Sequence, residues 1–319
     1  MYNSFPEASN GDLASGYNGS MASQISPDPA KARLKADLTL LLVAIVWGSA
    51  FVAQRVAALN MGVSLFNGLR FLLGALMLLP LALRRRETGT NTRRLLPGMA
   101  LAGLLLFGGT SLQQLGLRYT TAANAGFITG LYVVLVPLLL ALGWRQPPRR
   151  AVWLAASLSA AGLFLLSTGG RFSLAMGDAL ELAGAFLWAF HVLCIGWLVQ
   201  RADVLHLAVV QYAVCGLLSL GMSLALESGS LAQVSGVWWT VVYTGVLSIG
   251  LGYTLQGVGQ KVAPPADAAI LLSLEAVFAA LAGWIFLDER LSPVQFLGCA
   301  LMLVGMLLAQ VPQLFRGRS

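Results

Sequence analysis

Runs of roughly 20 apolar residues recur along this chain, each long enough to cross the hydrocarbon core of a bilayer as a helix. Ten can be placed, at 38–56, 63–83, 95–116, 122–143, 151–168, 179–199, 205–226, 237–257, 268–287 and 294–311. The connections are short. The pattern predicts an all-α membrane protein with ten transmembrane helices. Residues 1–35 break it: they are rich in Ser, Gly, Asn and Pro, contain no apolar run, and read as a disordered tail. That tail lacks a signal-peptide h-region, so the first span is expected to serve as an uncleaved insertion signal. Residues 312–319 read as a short basic tail.

Composition supports the same solvent. Hydrophobic residues make up 57% of the chain, charged residues only 10%, and mean hydropathy is +0.77. Soluble domains are nearer one quarter charged. The net charge of +7 would suit an anionic partner, but its placement has another cause. With the N-terminus inside, 15 of the 20 basic residues fall on the inner side, from Lys31, Arg33 and Lys35 to Arg316 and Arg318. Arg118, Arg171 and Arg290 fall outside, and Arg55 and Arg70 lie within spans. This is the positive-inside asymmetry. It predicts that both termini are cytoplasmic, and it removes the reason to expect nucleic acid. Cys194, Cys215 and Cys299 all sit in spans without metal-ligand spacing, so they read as packing residues and no cofactor is expected.

The two halves of the chain overlay. "DLTLLLVAIVW" from Asp37 matches "DALELAGAFLW" from Asp178, which places Trp47 on Trp188 and Arg70 on Gln211. After a shift of two residues, Gly109, Leu112, Gln113 and Gly116 fall on Gly252, Leu255, Gln256 and Gly259, and Gly162 falls on Gly305. The units are 36–169 and 176–311, with five spans each. An odd number inverts the second unit relative to the first. Inverted five-helix repeats are an architecture of secondary transporters, whose site lies near the midplane where the repeats meet.

"VWGSAFVAQ" on the first span, "LRFLLGALMLLP" on the second and "LEAVFAALAGWIFLDERLSPVQFLGCALMLVGMLLA" at the end carry a resemblance over about residues 38–311. The chain resembles the EamA-type transporters of the drug/metabolite transporter superfamily. That resemblance implies a bacterial inner-membrane protein that moves small metabolites, often outward, with amino acids and their derivatives among the cargoes. One departure is visible. The family's Glu-Pro-Val on the ninth span reads Glu275-Ala276-Val277 here, which predicts a smaller kink at that point. Pro137 is retained on the fourth span.

Polar residues at membrane depth are the candidate chemistry. Glu275 lies about two turns into the ninth span. An ionised acid at mid-span costs roughly 2.5–3.5 kcal/mol on insertion scales, so it must be neutral, partnered or in a wet cavity. Its functional reading is a proton-coupling or substrate-amine site; its structural reading is a carboxyl paired to a neighbouring helix. Trp47 and Gln54 share a face of the first span with Phe51 between them. Glu181, Gly184, Trp188 and His191 share a face of the sixth. The two tryptophans are either walls of one cavity or large core residues. His191 either titrates with Glu275, binds cargo, or is a satisfied neutral histidine; His206 reads as interfacial. Arg70 either snorkels outward, pairs with a carboxylate or meets an anionic group of the cargo. Asn67, one turn before it, fits each of these. Gln113 and Gln256 are repeat equivalents that either select polar cargo or tie helices together, with Gln114 and Tyr253 nearby. Tyr132 is the repeat counterpart of Glu275. Gly126 with Gly130, and Ser248 with Gly252, are spaced for close helix packing. Asp267, after "APP", reads as a helix cap.

The function expected is secondary transport by alternating access around a midplane cavity. The cargo would be small polar or amphipathic metabolites, with outward direction implied by the resemblance. Import or facilitated passage of a vitamin or nucleoside is the alternative. No Walker-type phosphate loop is present, so the gradient of substrate or of protons supplies the energy. An intramembrane enzyme acting on a lipid-linked substrate would need a nucleophile–base set or paired acids. A channel would need a filter-like loop. Neither pattern is found. The expected partners are the cargo and the bilayer; protons and a second copy of the chain stay open.

Overall fold

The computed structural model describes residues 29–85, 92–143, 145–146, 148–168, 176–227, 232–288, 290 and 292–316. The described residues form helices joined by short connections, with no strand among them. In order come α1 (Pro29–Asn60), α2 (Val63–Arg84), α3 (Thr92–Gly116), α4 (Ala122–Gly130), α5 (Tyr132–Leu142), α6 (Arg150–Thr168), α7 (Met176–Leu198) and α8 (Val204–Leu226). Then follow α9 (Ala232–Tyr243), a π-helical segment (Thr244–Tyr253), α10 (Thr254–Gln260), α11 (Pro265–Leu272), α12 (Glu275–Leu287) and α13 (Pro293–Arg316).

Eight of the described helices are long and apolar enough to cross a membrane, once α4–α5, α9–α10 and α11–α12 are each counted as one. The other two expected spans correspond to α6 and α13, whose apolar stretches, Arg150–Leu165 and Pro293–Gly305, are shorter. These two pack lengthwise on each other. Ser159 and Gly162 of one meet Met302 and Gly305 of the other.

α1 starts earlier than its apolar pattern. Residues 29–35, read above as part of the tail, are its first turns, and residues 1–28 lie outside the described set. Pro29 is tolerated at a helix start, where its missing N–H has no partner to lose. The Ala, Lys and Arg that follow are strong helix formers. Arg33 then pairs with Asp37 one turn on, at 2.8 Å. At the other end, α13 continues through the basic tail to Arg316.

Polarity is inverted relative to a soluble protein. Leu83, Leu224 and Phe286 are among many large apolar side chains on the outside. Gln54, Asn67, Arg70, Gln113, Gln114, Glu181, His191, Gln211, Gln256 and Glu275 are buried inside. An apolar exterior of this extent has lipid as its solvent. The helix contacts also exchange between halves. α2 lies on α8, and α6 on α13. α3 packs on α7 as α1 packs on the π segment and α10. α4 and α5 pack on α7 as α11 and α12 pack on α1.

Two interruptions occupy equivalent places. Between α4 and α5, Leu131 N bonds Ile128 O at 3.1 Å and Val134 N bonds Leu131 O at 3.0 Å, both three residues apart. Between α11 and α12, Leu274 N bonds Leu271 O, Ala276 N bonds Ser273 O and Val277 N bonds Leu274 O, at 3.0–3.2 Å. The ladder therefore tightens just before Glu275 although no proline follows it, which the smaller-kink expectation did not include. The local cause is Ser273. Its hydroxyl donates to Ile270 O at 2.8 Å and competes with the helix for that carbonyl. The interruption puts Tyr132 and Glu275 each at the first residue of a half-helix.

Candidate functional site

Where the two halves meet lies a cavity of about 30 Å³. Its lining includes all nine candidate residues: Trp47, Gln54, Arg70, Gln113, Tyr132, Trp188, His191, Gln256 and Glu275. A water needs about 10–15 Å³ of such space, so the cavity admits about two or three waters and is smaller than any amino acid. The rest of the lining is Phe51, Thr129, Val192, Ser248 and Tyr253.

The tryptophans are set by crossed glycine contacts. The ring of Trp47 lies over Gly252, where a Cβ would come within 2.5 Å of Nε1. The ring of Trp188 lies over Gly109, where a Cβ would come within 3.2 Å. Gly109 and Gly252 are repeat equivalents, so each half's tryptophan rests on the other half's glycine. Trp47 Nε1 donates to Ser248 O at 3.0 Å, a carbonyl inside the π segment. Tyr253 is the hub of the aromatic wall. Its ring centre is 4.5 Å from that of Trp47, 5.9 Å from His191 and 6.1 Å from Trp188, the last nearly parallel.

Glu275 is buried and accepts a hydrogen bond from the Tyr132 hydroxyl at 3.0 Å. The repeat-related phenol and carboxyl thus meet directly. Close packing of α1 on α12 holds Glu275 beside the tryptophan face: a Cβ on Gly48 would fall 2.6 Å from Glu275 O and 2.4 Å from Phe278 Cβ. The depth of the carboxyl in the fold therefore depends on a glycine one residue after Trp47.

Arg70 does not snorkel. It is 2% exposed, and its guanidinium donates to Gln54 Oε1 at 2.8 Å and sits 4.7 Å from the Phe66 ring centre. Among the described residues no carboxylate lies within ion-pair distance of it, and its Nε has no partner. In the second half the same tether recurs with other residues. Gln211, the counterpart of Arg70, pairs with His191 Nε2 at 3.0 Å. His191 is thus tied to Gln211 rather than to Glu275, and its Nδ1 is unpartnered. Trp188 Nε1 and both polar atoms of the Gln256 amide are unpartnered too. Each such buried polar atom costs about 1–3 kcal/mol. Their convergence on one cavity marks a place where a polar guest would be stabilised.

Gln113 donates to Thr129 Oγ1 at 3.0 Å, and Thr129 donates to Glu181 Oε2 at 3.2 Å. Glu181 stands behind the lining and supports it. Sequence reasoning did not name Thr129, because a lone threonine in an apolar run carries no signal. Tyr253 had one: it stands three residues before Gln256, on the same helical face. Asp267 is not the residue that caps α11; Pro264 precedes that helix. Asp267 sits in the first turn and pairs with Arg33 at 3.1 Å and Arg149 at 3.3 Å. Pro264 and Pro265 set the turn, and the carboxylate meets cations on two other segments.

A buried polar cavity enclosed by helices with a lipid-facing exterior defines this molecule as a multi-pass membrane protein. The comparisons with known proteins say which kind. The EamA-like transporter family model matches twice, at residues 34–168 and 175–310, and the chain belongs to that family, within the drug/metabolite transporter superfamily. An uncharacterized transporter of Archaeoglobus fulgidus is 31% identical over 88% of this chain and 87% of its own. The threonine/homoserine exporter RhtA of Escherichia coli is 30% identical over 82% of this chain and 86% of its own. A crystal structure covering 90% of this chain and 99% of its own superposes with a TM-score of 0.73 at 20% identity, which shows the shared fold.

Proposed function

We propose that this chain exports small amino acids and their close derivatives across the bacterial inner membrane, by alternating access around the central cavity. The observation that carries the reading is the pairing of opposite chemistries on one cavity: the Arg70 guanidinium, with no carboxylate partner, and the Glu275 carboxyl. A zwitterion presents the complement of both. Its carboxylate would meet Arg70, its ammonium Glu275, and its side chain the wall of Trp47, Trp188 and Tyr253. The RhtA relatives, named as threonine and homoserine exporters, support this cargo class.

In this reading ten spans form two inverted five-helix units, 36–169 and 176–311, with both termini cytoplasmic. The cavity must widen to admit an amino acid. The interruptions before Tyr132 and Glu275 and the π segment beside Trp47 are where the backbone ladder departs from the regular α pattern, and they serve as the bending points. Glu275 carries the coupled proton. The Tyr132 hydroxyl holds the carboxyl in place, and protonation removes the charge that holds the cargo's ammonium.

The test is flux in proteoliposomes containing a pH-sensitive dye, with threonine, homoserine and a panel of other amino acids. Wild type and Glu275→Gln are compared with and without an imposed proton gradient. Proton movement with threonine or homoserine in wild type, lost in the variant, is the expected result. Transport by the variant with unchanged affinity and coupling would make the carboxyl structural and sink the proton role. Absence of saturable flux of any panel member by wild type would sink the cargo assignment.

A further inference from the structure

A second cavity is far larger than the central one and has a different character. It measures about 790 Å³ and lies between α3 and α7 on one side and α5, α6 and the start of α11 on the other. Its walls are apolar, with Leu101, Leu105, Leu140 and Phe190 among them. Leu101 is 50% exposed and Phe190 39%, so the cavity is open along the lipid-facing surface of the bundle. One end carries two arginines, Arg149 and Arg201, at the level where α6 begins and α7 has ended. From Leu198, the last residue of α7, to Phe190 the helix rises about 12 Å, most of the depth of one leaflet of a core about 30 Å thick.

We propose that this groove is a binding site for one anionic phospholipid, of the phosphatidylglycerol kind. Its phosphate lies between Arg149 and Arg201, and an acyl chain lies along Leu101, Leu105, Leu140 and Phe190. The charge balance selects the headgroup. Asp267 is the one carboxylate among the described residues of the lining, and it is already shared by Arg149 and Arg33. Among the described residues, Arg201 is held within its own helix end, by Trp197 O at 2.9 Å and over the Trp197 ring at 4.3 Å. Arg145 and Arg150 are exposed on either side of Arg149. The mouth is therefore net positive, while the interior offers little to a polar solute. Basic pockets between spanning helices are a recurrent way of holding anionic lipid headgroups. The proposal does not depend on the cargo or direction of transport.

The experiment is native mass spectrometry of the full chain in detergent, titrated with phosphatidylglycerol and phosphatidylcholine of the same acyl chains. One phosphatidylglycerol is expected to be retained in preference to phosphatidylcholine. Arg201→Gln should weaken it about fivefold, the effect of one arginine near a lipid surface, and leave phosphatidylcholine unchanged. Arg201→Lys should restore most of the preference. Arg149→Gln should act in the same direction, but it also breaks the pair with Asp267, so Arg201→Gln is the deciding variant. Equal retention of the two lipids, or a preference untouched by Arg201→Gln, overturns the proposal. Displacement of the bound lipid by millimolar threonine would make the groove a cargo vestibule and overturns it as well.

Discussion

Arg70 is the residue whose position is hardest to explain by packing alone. A buried charge without an opposite charge is costly, and Gln54 with two aromatic faces compensates it only in part. That cost is consistent with a site that completes its charge balance when an anion enters. The prediction at this scale is a loss of discrimination. Wild type should bind threonine more tightly than threoninamide, which has no carboxylate. Arg70→Gln should lower threonine affinity about tenfold or more, the value of a charge-assisted hydrogen bond, and bind both ligands alike. Arg70→Lys should recover part of the difference. Titration of the purified protein by tryptophan fluorescence would read this directly, and equal binding of the two ligands by wild type would contradict it. Sequence reasoning left three roles open for Arg70, because depth along a span does not say which way a long side chain turns.

Among elements, the start of α8 shows how a short connection between spanning helices is tied down. Asp203 precedes the helix with extended backbone and accepts from Leu205 N at 3.0 Å and His206 N at 3.3 Å. It also pairs with Arg85 at 3.0 Å and with the His206 ring at 3.2 Å. Burial works to raise its pKa, but the hydrogen bonds from His206, Arg85 and Leu205 outweigh that and hold it below the ordinary carboxylate range. A depressed folded-state value contributes stability that is complete above the unfolded value, about 3.9, and fades as pH falls through the folded one. Asp203→Ala should therefore cost about 1 kcal/mol near neutral pH. Asp203→Asn keeps the cap and loses the titration. Thermal melts in detergent at pH 6 and pH 3 should show an acid-dependent loss in wild type that is smaller in Asp203→Asn. An equal loss in both would assign the acid sensitivity elsewhere.

Across the whole molecule, both ends of the bundle are latched around a cavity too small for cargo. At one end Asp267 holds Arg33 of α1 and Arg149 ahead of α6, and Asp37 holds Arg33 from the other side. At the other, the Glu227 carboxylate accepts from Ser64 N at 2.8 Å and Leu65 N at 2.9 Å. Arg118 donates to Ala58 O and Met61 O, and Arg55 donates to Leu117 O. Asp267→Asn should loosen the first end only. Hydrogen exchange over the first turns of α1 and over α11 should rise about tenfold, as expected from losing a charged hydrogen bond of about 1.5 kcal/mol, with the Glu227 end unchanged. Uniform acceleration along the chain would mean global destabilisation and no latch.

The sequence by itself determined the solvent, the all-helical class, the repeat and the identities of nine of the polar and aromatic residues that line the cavity. These follow from local quantities: a run of apolar residues, or a carboxyl or an indole where lipid would reject it. Only the tertiary structure decided who meets whom. It brought Tyr132 to Glu275, Arg70 to Gln54 and Gln211 to His191, and it turned Asp267 from a helix-start residue into an ion-pair centre. It also made helix of residues 29–35, which carry no apolar run. The physical reason is range. Hydropathy is written one residue at a time along the chain. A hydrogen bond or ion pair between helices depends on packing that a glycine such as Gly48, Gly109 or Gly252 permits and that its neighbours in sequence do not reveal.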